Sequence, residues 1–276
     1  MSFQNLDVLK FYEELPFNIF GDLDEAEKQI KKFNPIDVYP ELKKNINFNQ
    51  KLKVIDFGCG GGWFVNGLSY HLGENIDVTG VDFNPTAINY ANKIKDRLSL
   101  NSNFILSDLF KFESVDKFDL IISLGALHHT NNCQEAIRKI LHYGNNNAYL
   151  FLGLYHKYGR KPFLDFFENI KKESEESKFK KYKELHSIKD DKKLYSWFRD
   201  QVLHPHETQH TFEEMIDLFE QTSYKIESTS INKFEKIDDL NSIIEKEKKL
   251  FNYAEEKLKK KEYFPGFFII TAKKND

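Results

Sequence analysis

A run of glycines beside an acidic residue is the first feature of the sequence that could do chemistry. Asp56 precedes three alternate glycines, Gly58, Gly60 and Gly62, and Trp63 follows them. An apolar segment before the glycines and a helical pattern after them predict a strand, a loop and a helix, which bring backbone N–H groups close to a ligand. The dinucleotide fingerprint requires glycine where Trp63 stands, and an acid would repel a pyrophosphate. The loop therefore favours a nucleotide-like ligand with a positive centre.

Polar side chains also follow the later apolar segments. Asp82 ends the second segment, at about the 20-residue spacing from the loop at which an acid accepts both ribose hydroxyls. Asp108 and Leu109 follow the third segment, and Ser123 ends the fourth. The carboxyl ends of parallel strands meet at one edge of an open α/β sheet. We therefore expect these residues to share one site.

Two adjacent histidines, His128 and His129, come directly after the fourth apolar segment. A histidine whose pKa is near neutrality is the natural base for a hydroxyl or a carbon acid, whereas a thiolate or a free amine needs less help. Neighbouring side chains do not both point the same way. We predict that at least one of the two lines an active site, as a base or as a plain hydrogen-bond partner.

Taken in this order, the acid and glycines of residues 56–62, the acids at 82 and 108, and the Leu-His-His ending at 127–129 resemble the class I S-adenosylmethionine-dependent methyltransferases of small-molecule type. The resemblance implies S-adenosylmethionine as the donor and S-adenosylhomocysteine as the product. It also implies that Asp82 holds the ribose and that Phe83 flanks the adenine. The donor-binding residues that it implies are Asp56, Gly58, Gly60, Gly62, Asp82, Phe83, Asp108, Leu109, Ser123 and Tyr12.

Methyl transfer from a sulfonium is an in-line displacement, for which a protein supplies alignment, a dry pocket and, for some acceptors, a base. The reaction requires no metal, and we predict none, while the sequence leaves open whether the histidine cluster at 204–210 binds one. His128 and His129 are the catalytic candidates. The sequence leaves open whether the methylated atom is oxygen, nitrogen or sulfur.

The acceptor is expected to bind between an amino-terminal lid and an insertion after the fifth strand, as in relatives of this kind. A packing role for the helix that carries Tyr12 and Phe17 stays open. The guanidinium of Arg160 either binds an anionic group of the acceptor bidentately or braces the surface. The acceptor-binding residues that we predict are Phe17, Tyr155, Arg160, Asp200, His204 and His206.

Residues 206–210 read His-Glu-Thr-Gln-His and match the zinc protease signature H-E-x-x-H. That chemistry requires both histidines on one face of a helix. Here Pro205 precedes the run, and Thr211 with Glu214 forms a capping box that begins a helix after His210. We therefore predict that the run leads into a helix and is not a protease centre.

Short apolar runs alternate with helical patterns, which predicts an α/β protein with a seven-stranded, mostly parallel, Rossmann-like sheet. Strands are predicted at residues 53–57, 77–81, 103–106, 118–123, 148–154, 224–231 and 267–273. Asn84 and Pro85 predict the start of the helix between the second and third strands. Residues 1–48 are expected to form the helical lid and 49–276 the core, with insertions at 155–222 for the acceptor pocket and at 235–262 as one amphipathic helix.

The chain has 276 residues, a formal charge of −3 and two cysteines. An acidic excess offers no basic stripe for nucleic acid, two cysteines form no disulfide framework, and no apolar stretch is long enough to span a membrane. These features favour a cytoplasmic protein, monomeric or homodimeric, that acts on a small molecule. Three alternatives stay open: a tRNA or protein methyltransferase, a non-catalytic donor-binding subunit, and a nicotinamide-dependent oxidoreductase.

Overall fold

A seven-stranded sheet forms the centre of the protein. The computed structural model describes residues 6–17, 19 and 22–275. The strands are β1 (Leu52–Phe57), β2 (Ile76–Asp82), β3 (Asn103–Leu106), β4 (Phe118–Leu124), β5 (Gly144–Tyr155), β6 (Tyr224–Thr229) and β7 (Phe267–Lys274). Their order across the sheet is β3-β2-β1-β4-β5-β7-β6, and β7 runs antiparallel to both β5 and β6, while the other neighbouring strands pair in parallel. The predicted α/β class and the mostly parallel sheet are confirmed.

Helices cover both faces of the sheet. They are α1 (Leu6–Glu14), α2 (Leu23–Lys32), α3 (Pro35–Val38), α4 (Leu42–Asn45), α5 (Trp63–Leu72), α6 (Pro85–Leu98), α7 (Cys133–Leu141), α8 (Lys157–Asn169), α9 (Glu175–Lys183), α10 (Asp191–Phe198), α11 (Phe212–Glu220), α12 (Leu240–Lys248) and α13 (Leu250–Lys259). The predicted start of α6 is confirmed, because the Asn84 side chain accepts from the N–H groups of Thr86 and Ala87. The capping box of Thr211 and Glu214 at the start of α11 is also present.

The order of the strands creates the place for a site. The chain runs from β1 to β2 and β3 on one side, then returns to add β4 and β5 on the other. The side chains of β1 and β4 are buried on both faces, and two separate apolar clusters pack above and below them. The crevice beyond the carboxyl ends of β1 and β4, where the strand order reverses, is where open α/β sheets bind ligands.

The two predicted insertions pack against each other. Helices α8, α9 and α10 share a small aromatic cluster of their own, and α13 packs against α8. The second insertion holds two short helices, α12 and α13, in place of the single amphipathic helix that we expected. One helix ends at Lys249 and the next begins there, with α12 packed beside α11 and α13 packed along α8. Within the described residues, no helix is both long and apolar enough to cross a membrane.

A buried carboxylate joins the insertions to the sheet. Glu247 of α12 accepts from the N–H of Phe212 at 2.6 Å and of Glu213 at 3.3 Å, and so caps α11. Its Oε2 also lies 2.8 Å from Nε2 of His156. Because Nδ1 of His156 accepts from the first N–H groups of α8, the proton is on Nε2 and is donated to Glu247. Glu247 thus holds the starts of two helices next to the end of β5.

Replacement of Glu247 is expected to destabilise the fold. The substitution Glu247→Ala leaves a buried imidazole and two helix-end N–H groups without their acceptor, so unfolding in urea should become easier by about 3–5 kcal/mol. The control is Glu245→Ala, which removes an exposed carboxylate of the same helix. Its effect should stay within about 0.5 kcal/mol. Equal unfolding midpoints for the two variants would contradict this role.

Candidate functional site

A cavity of about 610 Å³ lies beyond the carboxyl ends of β1, β2 and β4. Its volume is that of a pocket for a cofactor or a small molecule. Among the described residues that line it are Asp56, Asp82, Asp108 and Asp200, and no lysine or arginine is among them. The cavity therefore favours a ligand with positive charge over an anion.

The glycine loop forms one wall of the cavity. Gly58 has φ +75°, and a Cβ there would lie 2.2 Å from the Cβ of Ala126, so a side chain has no room. Gly60 faces open space. Gly62 begins α5 with φ +76°, and a Cβ there would lie 2.7 Å from Ala91 and 2.8 Å from the ring of Phe104. The predicted ligand-binding role of Gly62 is therefore corrected to close packing behind the loop.

Asp82 fastens the loop to the end of β2. Its Oδ2 accepts from the N–H of Gly60 at 2.8 Å, and its Oδ1 accepts from the N–H of Asn84 at 2.8 Å. Burial raises the pKa of Asp82, while these backbone hydrogen bonds lower it. Each carboxylate oxygen can accept a second hydrogen bond, so both retain capacity toward the cavity.

Asp56 is a second buried carboxylate beside the first. Burial raises the pKa of Asp56 to about 8, with the neighbouring charge of Asp82 as the second cause. No ion pair with a basic side chain is present at either acid among the described residues. A bound cation would relieve both the desolvation and the mutual repulsion.

The other predicted donor-side residues divide into two groups. Phe83, Asp108 and Leu109 line the cavity, and Asp108 is held by the N–H of Phe110, which donates to it at 3.0 Å. Ser123 does not line the cavity. Its hydroxyl donates to the carbonyl of Phe57 at 2.8 Å and ties β4 to β1, so its predicted contact with a ligand is corrected to a role within the sheet.

The two histidines after β4 lie in different surroundings. His129 lines the cavity, and its Nδ1 lies 2.9 Å from the carbonyl oxygen of His206. Nδ1 therefore donates, which leaves a lone pair on Nε2. His128 lies behind the cavity wall with its ring centroid 4.3 Å from that of Tyr155, and burial holds the pKa of His128 well below its usual value. The predicted catalytic role of His128 is corrected to packing.

Helix α1 covers the cavity from the amino-terminal side. The hydroxyl of Tyr12 donates to Oδ1 of Asp200 at 2.5 Å, and its carbonyl accepts from the side chain of Asn84 at 2.9 Å. Burial, followed by the charge of Asp200, raises the pKa of Tyr12, so the phenol keeps the proton that it donates. Phe17 also lines the cavity. Residues 1–5 of the predicted lid lie outside the described residues.

The first insertion forms the far wall. Of the predicted acceptor-binding residues, Tyr155 and Asp200 line the cavity, whereas His204 and His206 lie next to it. An aromatic wall that sequence reasoning missed adds Trp197, Tyr263 and Phe267. The aromatic-rich composition was the only signal for these residues, because their meeting depends on how α10 packs against the end of the second insertion.

Arg160 does not face the cavity. Its Nε donates to Oε1 of Glu207 at 3.0 Å and its Nη2 to Oε2 at 2.7 Å, and Nη2 also donates to the carbonyl of Gln201 at 2.8 Å. The guanidinium carbon lies 3.9 Å from the centroid of the Tyr155 ring, on the side away from the cavity. The prediction that Arg160 binds an acceptor is therefore wrong, because its charge is already paired in the interior.

The His-Glu-Thr-Gln-His run is not helical. Residues 206–209 form no regular secondary structure, and His210 forms a bridge with His156. Nε2 of His206 lies 3.1 Å from the carbonyl of Thr130, so the predicted acceptor contact of His206 is corrected to a brace for the loop after β4. The prediction that this run leads into a helix is confirmed.

The chain is similar to known proteins over most of its length. Residues 48–261 match the model of a family described as a methyltransferase domain. A probable cobalt-precorrin-6B C(15)-methyltransferase (decarboxylating) from Thermoplasma acidophilum is 29% identical over 96 residues, which are 34% of this chain and 48% of that protein. A ubiquinone biosynthesis O-methyltransferase from Rickettsia bellii is 25% identical over 138 residues, or 49% of this chain and 56% of that protein. The chain thus spans about half the length of these curated relatives.

A solved structure confirms the fold class. The plantazolicin methyltransferase BpumL in complex with SAH superposes with a TM-score of 0.54 at 19% identity, covering 98% of this chain and 96% of that one. At this identity the likeness extends to the fold.

The ion pair of Arg160 is expected to stabilise the protein. The substitution Arg160→Ala removes the fully buried partner of the partly buried Glu207 and leaves that carboxylate unpaired, and thermal and urea unfolding should show a loss of about 3–5 kcal/mol. The matched control is Lys161→Ala, which removes an exposed cation at the next position. A variant of Arg160 as stable as the Lys161 variant would show that the ion pair is dispensable.

Proposed function

The chain belongs to the methyltransferase domain family of the class I S-adenosylmethionine-dependent methyltransferases, and we propose that it transfers a methyl group from S-adenosylmethionine to a small-molecule acceptor. The observation that carries the proposal is the acidic cavity at the reversal of the strand order, with no lysine or arginine among its described lining residues. A nicotinamide dinucleotide has a pyrophosphate that Asp56 would repel, whereas a sulfonium and an ammonium favour these acids.

The donor fits the first half of the cavity by its chemistry. Asp56 and the N–H groups of the loop suit the amino-acid end of the donor, which carries both charges. Asp82 retains acceptor capacity for the ribose hydroxyls, and Asp108 suits an adenine amino group. These assignments extend the predictions from the sequence and are supported by the position of all three acids at the cavity wall.

The second half of the cavity suits a small acceptor. Helix α1 and the first insertion cover part of it through the hydrogen bond of Tyr12 to Asp200. Its aromatic wall, with the rings of Tyr155, Trp197 and Tyr263, suits a planar or an apolar molecule. A macromolecular substrate would need this cover to open, and the acidic net charge gives it no electrostatic attraction to RNA.

The protein contributes mainly alignment to the reaction. An in-line displacement needs the acceptor atom, the methyl carbon and the sulfur in one line, and walls on opposite sides of the cavity can hold the two molecules in that arrangement. The product sulfur is neutral, so the attraction of the acids for the donor falls once the methyl group has left. Of the two predicted catalytic histidines, His129 lines the cavity and His128 does not. The lone pair on Nε2 of His129 suits a contact with the acceptor.

The donor is expected to bind through Asp82. Calorimetry should detect binding of S-adenosylmethionine and S-adenosylhomocysteine and no binding of NAD. The substitution Asp82→Asn removes the charge and should weaken donor affinity by about 100-fold, the value of two hydrogen bonds to a charged group. Asp77→Asn, at the exposed start of the same strand, should leave affinity unchanged.

Two further outcomes bear on this proposal. If neither sulfur nucleoside binds, the proposed function is wrong. If donor binding is intact but a screen of small metabolites and of RNA finds methyl transfer to RNA, the acceptor class is wrong while the donor stands. The screen would measure incorporation of labelled methyl groups.

Donor affinity is expected to rise with pH because of Asp56. The ligand-free carboxyl has a pKa of about 8 and is mostly protonated at neutral pH, whereas a cationic donor favours its ionised form. Binding near neutrality should therefore release a proton, and affinity should rise by up to about tenfold per pH unit below the pKa and level off above it. Calorimetry in buffers of different ionisation enthalpy measures this release. The Asp56→Asn variant should lack it, and an identical pH profile in that variant would exclude Asp56 as the cause.

A further inference from the structure

The side chains of His129, Asp200 and His204 meet at the acceptor end of the cavity. Each offers one ligating atom, and these atoms all lie within 4.8 Å of one another. They come from distant parts of the chain, the loop after β4 and the turn that follows α10, so their juxtaposition arises only on folding. We propose that these residues bind a divalent transition-metal ion. Binding of the methyl donor does not require this ion.

The two histidines present ring nitrogens that lack any other partner. Nε2 of His129 and Nε2 of His204 are both buried and accept or donate no hydrogen bond among the described residues. Buried polar atoms without partners are rare, and such an atom in a native fold indicates a bound ion, a water or a functional role. The ring centroids lie 3.8 Å apart with the ring planes inclined by 30°, so the two unpartnered nitrogens lie close together.

The outer contacts of His129 are those of a metal ligand. Its Nδ1 donates to the carbonyl of His206, which fixes the tautomer that leaves the lone pair on Nε2. Histidines that bind metals almost always donate their second N–H to a carbonyl or a carboxylate in this way. The carboxylate of Asp200 is also held in place, because Tyr12 donates to its Oδ1. That hydrogen bond does not use Oδ2.

His204 must change one hydrogen bond to join the set. Its Nδ1 accepts from the N–H of His206 at 3.1 Å, which places its proton on Nε2 in the metal-free chain. Coordination through Nε2 moves that proton to Nδ1 and breaks the contact with His206. The proposal therefore includes a shift of the backbone at His206, whose N–H and carbonyl together set the tautomers of both histidines.

Charge also favours a cation at this point. Asp200 is buried, and no salt bridge between it and a lysine or arginine is present among the described residues. The buried guanidinium of Arg160 is already paired with Glu207. A divalent ion would supply the missing positive charge.

Two histidines and one carboxylate form the donor set of non-haem Fe²⁺ sites with open coordination positions, and imidazole also suits Zn²⁺ and Co²⁺. His129 and Asp200 line the cavity, so the open positions face the acceptor. Resting on the proposed function, this arrangement favours an acceptor hydroxyl: the ion lowers its pKa, the proton passes to solvent, and the oxygen takes the methyl group while the sulfur keeps the bonding electron pair.

The test uses the full chain after treatment with a chelator. Titration with Co²⁺ should give visible absorption bands that saturate at one equivalent, and calorimetry should show binding of Zn²⁺ and Fe²⁺. The Asp200→Asn and His204→Ala variants should lose at least about 100-fold in metal affinity, since even changes in the outer contacts of a ligand cost 10- to 100-fold. The control is His186→Gln, because His186 also has a buried unpartnered Nε2 but lies in another part of the insertion.

The outcomes separate this proposal from the proposed function. Far-ultraviolet circular dichroism of both variants should be unchanged, and so should calorimetry with S-adenosylmethionine on His204→Ala, whose side chain does not line the cavity, which shows that fold and donor site are intact. Failure of wild type to bind the metals, or equal affinity in wild type and Asp200→Asn, would overturn the metal site and leave donor binding untouched. Failure to bind the donor, with metal binding retained, would instead overturn the proposed function.

Discussion

The buried carboxylate of Asp82 is the interaction on which the site depends. It accepts from the N–H of Gly60 and of Asn84 and so holds the glycine loop against the end of β2. The side chain of Asn84 in turn caps α6 and donates to the carbonyl of Tyr12. Tyr12 donates to Asp200 in the first insertion. One line of hydrogen bonds thus runs from the sheet through the lid to the acceptor side.

This line explains why an acid is tolerated in the interior. Removal of a carboxylate from water is unfavourable unless hydrogen bonds or a counter-charge compensate. At Asp82 backbone N–H groups supply part of the compensation, whereas no such donor to Asp56 is found in the described part of the chain, and burial raises the pKa of Asp56 to about 8. A cationic ligand can compensate the part of the desolvation cost that the backbone does not. The burial that destabilises the ligand-free protein therefore strengthens the binding of a cation.

The acceptor side is built on a different principle. Its walls come from the two insertions, and two polar contacts hold these insertions next to β5, one an ion pair and the other a hydrogen bond from a neutral imidazole to a carboxylate. Arg160 with Glu207 lies behind Tyr155, and His156 with Glu247 lies at the next residue of the chain. Such pairs contribute less net stability than apolar packing would, but they permit few alternative arrangements. One contact lies behind the Tyr155 ring and the other at the next residue, so together they restrict the position of Tyr155. The position of this ring in turn shapes the cavity.

The sequence by itself determined the sheet, the loop and the acids at the strand ends, because apolar periodicity, Asn-Pro and Thr-x-x-Glu caps and glycine spacing are local signals. Asp56, Asp82, Asp108 and His129 were found in this way, and the structure places all four at the cavity. Local sequence patterns do not predict the direction in which a side chain points. Ser123, His128, Arg160 and His206 therefore lie elsewhere than expected, since each finds a partner far along the chain. The meeting of His129, Asp200 and His204, and the aromatic wall of Trp197 and Tyr263, were likewise decided only by the tertiary packing of the insertions, because contacts between distant segments depend on the whole fold.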